Sequence, residues 1–447
     1  MEKSFRKNKI FITVYFVAVL ILFFLKSDDI FIGVLLLGRL ILEMFQDFKS
    51  FELELDLTTL DFLFASGVLL IFGVVSIIGL IHYHLRRFRL WAISRFYDWL
   101  GKLSLQILTG LTLVATLFFI AIESPIIAAQ HPNYYKDIIV TKLLPPLSEI
   151  EYVIVRDQNS PTNKLTSIQE LKLKALHPAQ DDSKLFMNSY KIIDDKLIYQ
   201  QGEREYIEPL SHFEQVNGDL KIETKTFYLG TDDFGRDVFS RLIYSSRMSL
   251  MIGLLSVLVS FLLGGFIGYS AGFFGGISDV VLMRIVDFFF SVPVLFLIVF
   301  LIALFGNSLL LLVFALGLGG WMSIARLTRA ETISCNKMEF IENLKIMGQK
   351  NLKILTKHIL PNTISPIIVA LVFQLGNVIM AESALCFLGL GVQPPTPTWG
   401  NMIKSGYDFI SSAWWLITFG GLAIVCAVLS FNILGEGINK HIDPRRH

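Results

Sequence analysis

The chain has little charge, few cysteines and none of the common nucleotide or metal motifs. Asp, Glu, Lys and Arg make up 17% of its 447 residues, against about a quarter in soluble domains. Charge that sparse, with 53% hydrophobic residues and a mean hydropathy of +0.59, excludes an ordinary soluble protein and indicates an integral membrane protein. Cys335, Cys386 and Cys426 stand far apart beside apolar runs, which excludes a disulfide framework and a thiolate metal site. The eight histidines include no His-Glu-x-x-His pair, so no metal ligands are expected. No Gly-x-x-x-x-Gly-Lys-Ser/Thr loop is present, and the chain is expected to bind neither ATP nor another cofactor. A net charge of +1 offers no bulk attraction for nucleic acid, which is not expected as a partner.

What the chain does have is long apolar runs. A bilayer core takes about 20 apolar residues per helix. Eight stretches meet or approach this: 10–25, 62–81, 105–128, 248–271, 287–305, 309–327, 364–385 and 415–435. A ninth, 30–45, is short, carries Arg39 and Glu43, and reads as an interfacial or re-entrant segment. The basic start followed by 10–25 has no small-x-small cleavage site, since Lys26-Ser-Asp-Asp29 comes next, so it reads as an uncleaved signal anchor. Basic residues cluster in 1–9, in 86–102 (Arg86, Arg87, Arg89, Arg95, Lys102), in the loop 326–363 and in the tail. The positive-inside rule places all four on the cytoplasmic side, which eight spans with both termini cytoplasmic satisfy.

Between these landmarks the chain divides into an N-terminal extension, 1–85, a basic amphipathic elbow helix, 86–104, and a first core span, 105–128. A polar extracytoplasmic insertion, 129–247, follows, and then a helical core, 248–447, with five spans. In the elbow, Leu90, Trp91, Phe96 and Trp99 share a face suited to the headgroup layer, so membrane lipid is an expected contact. In the insertion, Asn217-Gly218 is a strong hairpin signal, Asp194-Asp195 a weaker one, and Ser167–His177 has a helical pattern. The expected fold is an all-α polytopic bundle with a small α+β or β-rich outer insertion.

The cytoplasmic loop holds the most informative stretch. Asn336 and Glu339 stand in capping-box spacing. Met338, Ile341 and Leu344 recur at helical spacing with Glu342 on a neighbouring face. Gly348 is a natural left-handed stop, and Leu360-Pro361 marks the return to the membrane. A short helix over 337–347 is therefore expected, with one apolar stripe to fill a groove in a partner. On these residues alone, a solvated loop is an equal alternative.

Glu342, Gly348, His358 and Leu360-Pro361 stand at the spacing of the coupling motif of ABC-importer permeases: Glu-Ala-Ala, three residues, Gly, nine residues, Ile-x-Leu-Pro. Asn343-Leu344 replaces Ala-Ala, and His358 replaces Ile. Leu229-Gly-Thr-Asp-Asp-Phe-Gly-Arg-Asp-Val-Phe-Ser-Arg241 resembles the segment before the second core span of dipeptide and oligopeptide permeases. Met380-Ala-Glu-Ser-Ala-Leu-Cys-Phe-Leu-Gly-Leu-Gly-Val-Gln-Pro-Pro-Thr-Pro-Thr-Trp-Gly-Asn401 is similar to the outer signature of that family. Phe431-Asn-Ile-Leu-Gly-Glu-Gly437 with Asp443-Pro-Arg445 resembles its C-terminus. The resemblance runs from about residue 226 to the end; residues 1–104 and most of 129–225 fall outside it. It implies a C-type subunit of a bacterial cytoplasmic-membrane peptide importer with the type I permease bundle. The implied partners are a second permease subunit in a heterodimer, two cytoplasmic ATPase subunits that carry ATP and Mg, and an extracytoplasmic solute-binding protein. It also implies that the chain is a transport subunit and not an enzyme, and that Met338, Ile341, Glu342, Leu344, Gly348, His358, Leu360 and Pro361 contact the ATPase.

Other residues carry weaker signals. Asp287 and Glu382 are ionisable groups in or beside spans and are candidates for the solute pathway, although Arg284 at helical spacing offers Asp287 a plain ion pair. Asp232, Asp233, Arg236 and Asp237 read as a charge network at the outer mouth; Asp233-Phe-Gly235 lacks every other kinase element. Pro394-Pro-Thr-Pro397 with Trp399 reads as a stiff turn anchored by an interfacial aromatic. Gly264, Gly265 and Gly268, and Gly317, Gly319 and Gly320, permit close helix approach, while Pro293 and Pro366 permit bends. A secondary transporter, for which paired unwound helices and midplane charges are missing, and a membrane scaffold with a sensory outer domain are the rivals. A nickel chelate is the rival solute.

Overall fold

The computed structural model describes residues 14–15, 17–46, 57–85, 103–156, 183–216 and 219–442. The elbow helix expected over 86–104, the helical pattern at 167–177, the Asn217-Gly218 turn and the Asp443-Pro-Arg445 motif lie wholly or almost wholly outside them. The chain forms two compact units. One comprises residues 1–101, 118–247 and 405–420; the other comprises 102–117, 248–404 and 421–447.

In chain order the main helices are α1 (Ser27–Gln46), α2 (Leu57–Leu85), α3 (Leu105–Ile122), α4 (Val238–Phe274), α5 (Gly276–Phe290) and α6 (Val294–Phe305). They continue with α7 (Leu309–Asn336), α8 (Glu339–Ile346), α9 (Leu360–Phe387), α10 (Trp399–Tyr407) and α11 (Trp414–Ile442). Among the described residues, five helices are long and apolar enough to cross a membrane, or six if the pair α5 and α6, bent by 82°, is one span. That is fewer than the eight expected. The stretch 10–25 is only partly described, and within α2 the qualifying apolar stretch, Thr59–Val74, is shorter than a span.

In the first unit, α1 is a 20-residue helix that extends the 30–45 stretch toward the N-terminus, and it is not among the helices apolar enough to cross a membrane. Hydrogen bonds from Lys26 N to Leu22 O and from Ile30 N to Lys26 O carry the helical path into it from the preceding residues. It packs along α2 because Ile30 and Leu36 recur on one face, and Gly33 lets Ser66 approach to where a Cβ would lie 2.3 Å from its Oγ. Ile30, Phe62, Ala65 and Leu69 join Phe119 and Ile126 in one core. Arg247 closes a bidentate pair on Asp61, both contacts at 2.7 Å.

The insertion within 129–247 is β-rich, as its hairpin signals indicate. Strands β1 (Ser148–Ile154), β2 (Lys184–Met187) and β8 (Ile222–Phe227) form one antiparallel sheet in the order β2-β1-β8. Strands β3 (Ser189–Ile193), β4 (Lys196–Gln201) and β5 (Arg204–Pro209) form a second, and β6 (Gln215–Val216) pairs with β7 (Asp219–Leu220). Asp194 and Asp195, with φ of 47° and 61°, make the β3–β4 turn, the left-handed pair that a tight hairpin requires. Alternation along β4 sends Leu197 and Tyr199 into a core with Val153, Met187 and Phe213.

In the second unit, Ile252, Val257, Ile298, Leu312, Leu316 and Val378 form the largest helical core. Glycines bring α4 and α7 together: a Cβ on Gly264 would lie 2.4 Å from Trp321 O, and one on Gly268 would lie 2.5 Å from Ala325 O. Gly110 on α3 likewise meets the backbone of Leu434 on α11. Pro293 stands at the 82° bend between α5 and α6, where its missing N–H costs the ladder nothing.

Candidate functional site

The helix expected over 337–347 is α8, Glu339–Ile346, and is shorter than expected. Its first residue is Glu339 with Met338 as the extended N-cap, so the capping box is not formed. Asn336 instead ends α7; its Oδ1 accepts from Lys345 Nζ at 2.6 Å and its Nδ2 donates to Phe273 O. The stop is as expected: Gly348 has φ of 72°, and Gln349 N donates to Leu344 O, the bond of a Schellman closure.

The apolar stripe faces inward. Ile341 is fully buried among Tyr269, Phe273, Cys335, Ile354, Ile359 and Ile367, and Leu344 packs against the same cluster. Through Ile341, α8 is seated on α4, α7 and α9 at once. The outward side carries Met338, Phe340, Ile346 and Met347, the last two 82% and 80% exposed, beside exposed Glu342. His358 packs edge-on to Phe340, with ring centroids 6.5 Å apart. Residues Leu355–Ile359 form a single π turn, which delivers Leu360-Pro361 into α9 without demanding the N–H that proline lacks.

The charged candidates take structural partners. Asp287 pairs with Arg326 at 2.7 Å rather than with Arg284, and the Arg326 guanidinium lies over Phe290. Asp279 pairs with Arg329. In the first unit, Asp232 accepts from Phe234 N, Arg236 N and Arg236 Nε at 2.7–3.0 Å, and Arg241 Nε lies 3.4 Å away. Burial, with the Asp232 carboxylate beside it, holds the Asp233 carboxyl above its ordinary value. Asp237 stands apart from this network, accepting from Ser240 N at 2.9 Å and capping α4. The segment is fixed by Trp415 Nε1 donating to Thr231 O and by Thr231 N donating to Leu144 O.

Glu382 is fully buried. Cys386 Sγ lies 3.0 Å from one carboxyl oxygen, and the Ser249 and Ser383 hydroxyls lie 3.4 Å from the other. Gly391 and Gly400 lie against Cys386, where a Cβ would meet its side chain at 2.0 and 2.7 Å. Glu382 thus organises the end of α9 and the loop after it. Trp399 is also buried, at the start of α10, and is not an interfacial anchor.

A cavity of about 560 Å³ opens instead at the α5–α6 bend, between α6, α7 and α9. Its polar lining is Ser323, Gln374 and Asn377, and none of the sequence candidates lines it. The sequence signals near it were Gly319 and Gly320, which line it, and Pro293 at the adjoining bend.

A family described as binding-protein-dependent transport system inner membrane component matches residues 264–447. The dipeptide transport system permease protein of Alkalihalophilus pseudofirmus is 39% identical over 218 residues, 49% of this chain and 72% of the relative. The di/tripeptide transport system permease protein of Pseudomonas aeruginosa is 38% identical over 219 residues, 49% of this chain and 72% of the relative. The glutathione transport system permease protein of Pectobacterium atrosepticum is 37% identical over 218 residues, with the same coverage of 49% and 72%. Among solved structures, the MetNI methionine ABC transporter in an inward-facing form aligns with TM-score 0.38 and 20% identity, over 45% of this chain and 96% of that one.

Proposed function

The chain belongs to the family of binding-protein-dependent transport system inner membrane components, and on that premise we propose that it carries di- or oligopeptides across the cytoplasmic membrane by alternating access driven by separate ATPase subunits. It is a multi-pass inner membrane permease. The peptide assignment rests on its relatives: those named for dipeptides, di/tripeptides and glutathione share one chemistry, the short peptide. A second permease subunit completes the pathway, two ATPases bind on the cytoplasmic side, and an extracytoplasmic binding protein delivers solute. Both termini are cytoplasmic.

The observation that carries the mechanism is the seating of α8. One residue, Ile341, is locked into a core shared by α4, α7 and α9, while Phe340, Ile346 and Met347 point away from it. A partner gripping the outward side moves three membrane helices together, because a close-packed core transmits displacement rather than absorbing it. Exposed Met and Phe side chains suit a groove that changes shape.

The test is twofold. Deleting the gene abolishes uptake of a short peptide such as trialanine; unchanged uptake refutes the solute class. The tagged permease retains two ATPase subunits through purification, and Glu342→Lys, Ile346→Asp and Gly348→Pro release them. Retention by all three variants, with normal transport, refutes the coupling role.

A further inference from the structure

We infer that the cavity between α6, α7 and α9 is a subsite for the peptide backbone of the solute, in which Gln374 Oε1 accepts the N–H of a peptide bond. The inference rests on the proposed peptide-permease reading and names the chemistry of recognition within it. The cavity, about 560 Å³, has no charged residue in its lining. It therefore offers no counter-charge to a solute's termini or ionised side chains. Its polar groups are two carboxamides and a hydroxyl: Gln374, Asn377 and Ser323.

The Gln374 amide is built into position. Its Nε2 donates to Ser260 Oγ at 2.7 Å, and Ser260 Oγ donates its single hydrogen to Gly317 O at 2.6 Å. Because that hydrogen is committed, Ser260 can only accept, and the amide must turn its nitrogen toward Ser260. The oxygen is then the end presented to the cavity, and among the described residues no donor reaches it. Gly320 makes the arrangement sterically feasible: a Cβ there would lie 1.8 Å from Gln374 Nε2. Asn377 follows three residues later on the same helical face and is exposed within the lining, so its carboxamide is free to donate to a carbonyl. An oriented acceptor beside an amide donor matches the N–H and C=O of a peptide unit. The remaining walls, among them Val294, Leu295, Ile298 and Phe373, are apolar and undemanding of side-chain identity. A site of this kind selects the backbone that all short peptides share.

The experiment uses the whole transporter with its partner subunits and compares trialanine with an analogue in which one peptide N–H is replaced by an ester oxygen. Loss of trialanine uptake on gene deletion establishes the peptide reading separately; if deletion has no effect, that reading fails and not merely the subsite. Given uptake, Gln374→Leu raises KM for trialanine about three- to tenfold and leaves KM for the ester unchanged. If Gln374→Leu does not accumulate, Gly320→Ala displaces the same amide and gives the same loss. Equal effects on amide and ester, or no effect on either, overturn the proposal. If the ester does not enter even with the wild type, labelling of Asn377→Cys in a Cys426→Ser background decides: trialanine protects the thiol and alanine does not. Labelling that trialanine leaves unprotected overturns the proposal.

Discussion

Replacing Gly268 by alanine tests how closely α4 and α7 are joined. Gly264, Gly268 and Gly272 lie one turn apart on α4 and face Trp321, Ala325 and Arg329, themselves one turn apart on α7. A Cβ at Gly268 would sit 2.5 Å from Ala325 O and 2.7 Å from Thr328 Cβ, where a carbon–oxygen contact needs about 3.3 Å. The obstacle is backbone, so no rotamer change relieves it; the helices must separate by nearly an ångström along their contact. Overpacking of this kind costs about 1–3 kcal/mol, partly offset by up to about 1 kcal/mol from the better helix propensity of alanine. Gly265 is the control on the same helix: the nearest atom to its Cβ is an edge carbon of Phe261 at 3.7 Å, so Gly265→Ala keeps the propensity gain without the clash. In thermal unfolding of the detergent-solubilised protein, Gly268→Ala lowers Tm and Gly265→Ala holds or raises it. Adding Gly264→Ala to Gly268→Ala costs less than the two separately, since one separation relieves both contacts. Equal shifts for Gly265→Ala and Gly268→Ala, or a higher Tm for the latter, would refute the close-contact argument.

Three further outcomes follow from the geometry. Ile341→Ala opens a cavity in a sealed core and destabilises the protein by about 2–4 kcal/mol, whereas Met347→Asp leaves Tm unchanged and lowers ATPase retention; Tm and co-purification together separate the two sides of α8. Glu382→Gln keeps the size of the group and one acceptor oxygen, while Glu382→Leu leaves the Ser249 hydroxyl and the Cys386 thiol without their carboxyl partner at a cost of about 1–3 kcal/mol; Glu382→Gln is the more stable of the two, and equal protease resistance of both would contradict the network. In the outer sheet, burial lowers Lys225 from its ordinary 10.5 to about 8. The unfolded chain therefore binds the extra proton, and stability rises with pH from about 8 to 10, by up to about 2 kcal/mol. Above pH 10 the trend is opposed, because burial and Glu208 hold the Tyr199 phenol above its ordinary value. Lys225→Met removes the rise, which calorimetry at pH 8 and pH 10 would detect.

Much of the architecture was legible because it is local. Gly348 reads as a helix stop, Asp194-Asp195 as a weaker hairpin signal and Pro293 as a residue that permits a bend, and a stop, a turn and a bend stand at these places. What failed to show was direction and long-range partnership. Helical spacing identifies Ile341 and Leu344 as one stripe, but cannot say whether the stripe faces a foreign groove or the protein's own core. Capping-box spacing at Asn336 competes with continuation of α7, and α7 wins, leaving Asn336 to hold Lys345. Arg284 lies three residues from Asp287, yet Arg326 takes the pair across helices. The 30–45 segment reads as short, but the helix begins at Ser27 because Ile30 and Leu36 on one face find α2 to pack on. Gln374 carries no motif; its amide is oriented only where Ser260, Gly317 and Gly320 converge from two other helices.

The antiparallel pairing of β1 with β8 sets Ser148 opposite Phe227, so the chain leaves for the outer sheets and returns at neighbouring points. Leu147 N donates to Phe227 O, and Thr231 N to Leu144 O, so the two strands of the stem are fastened before the excursion begins. A graft at such a stem is nearly indifferent to the length it carries, because closing a longer loop costs only logarithmically more. The stem can thus carry an excursion of another length, and the demand on any replacement is apolar cover for Val140 and Leu144, which pack with Ile150, Tyr152 and Phe186.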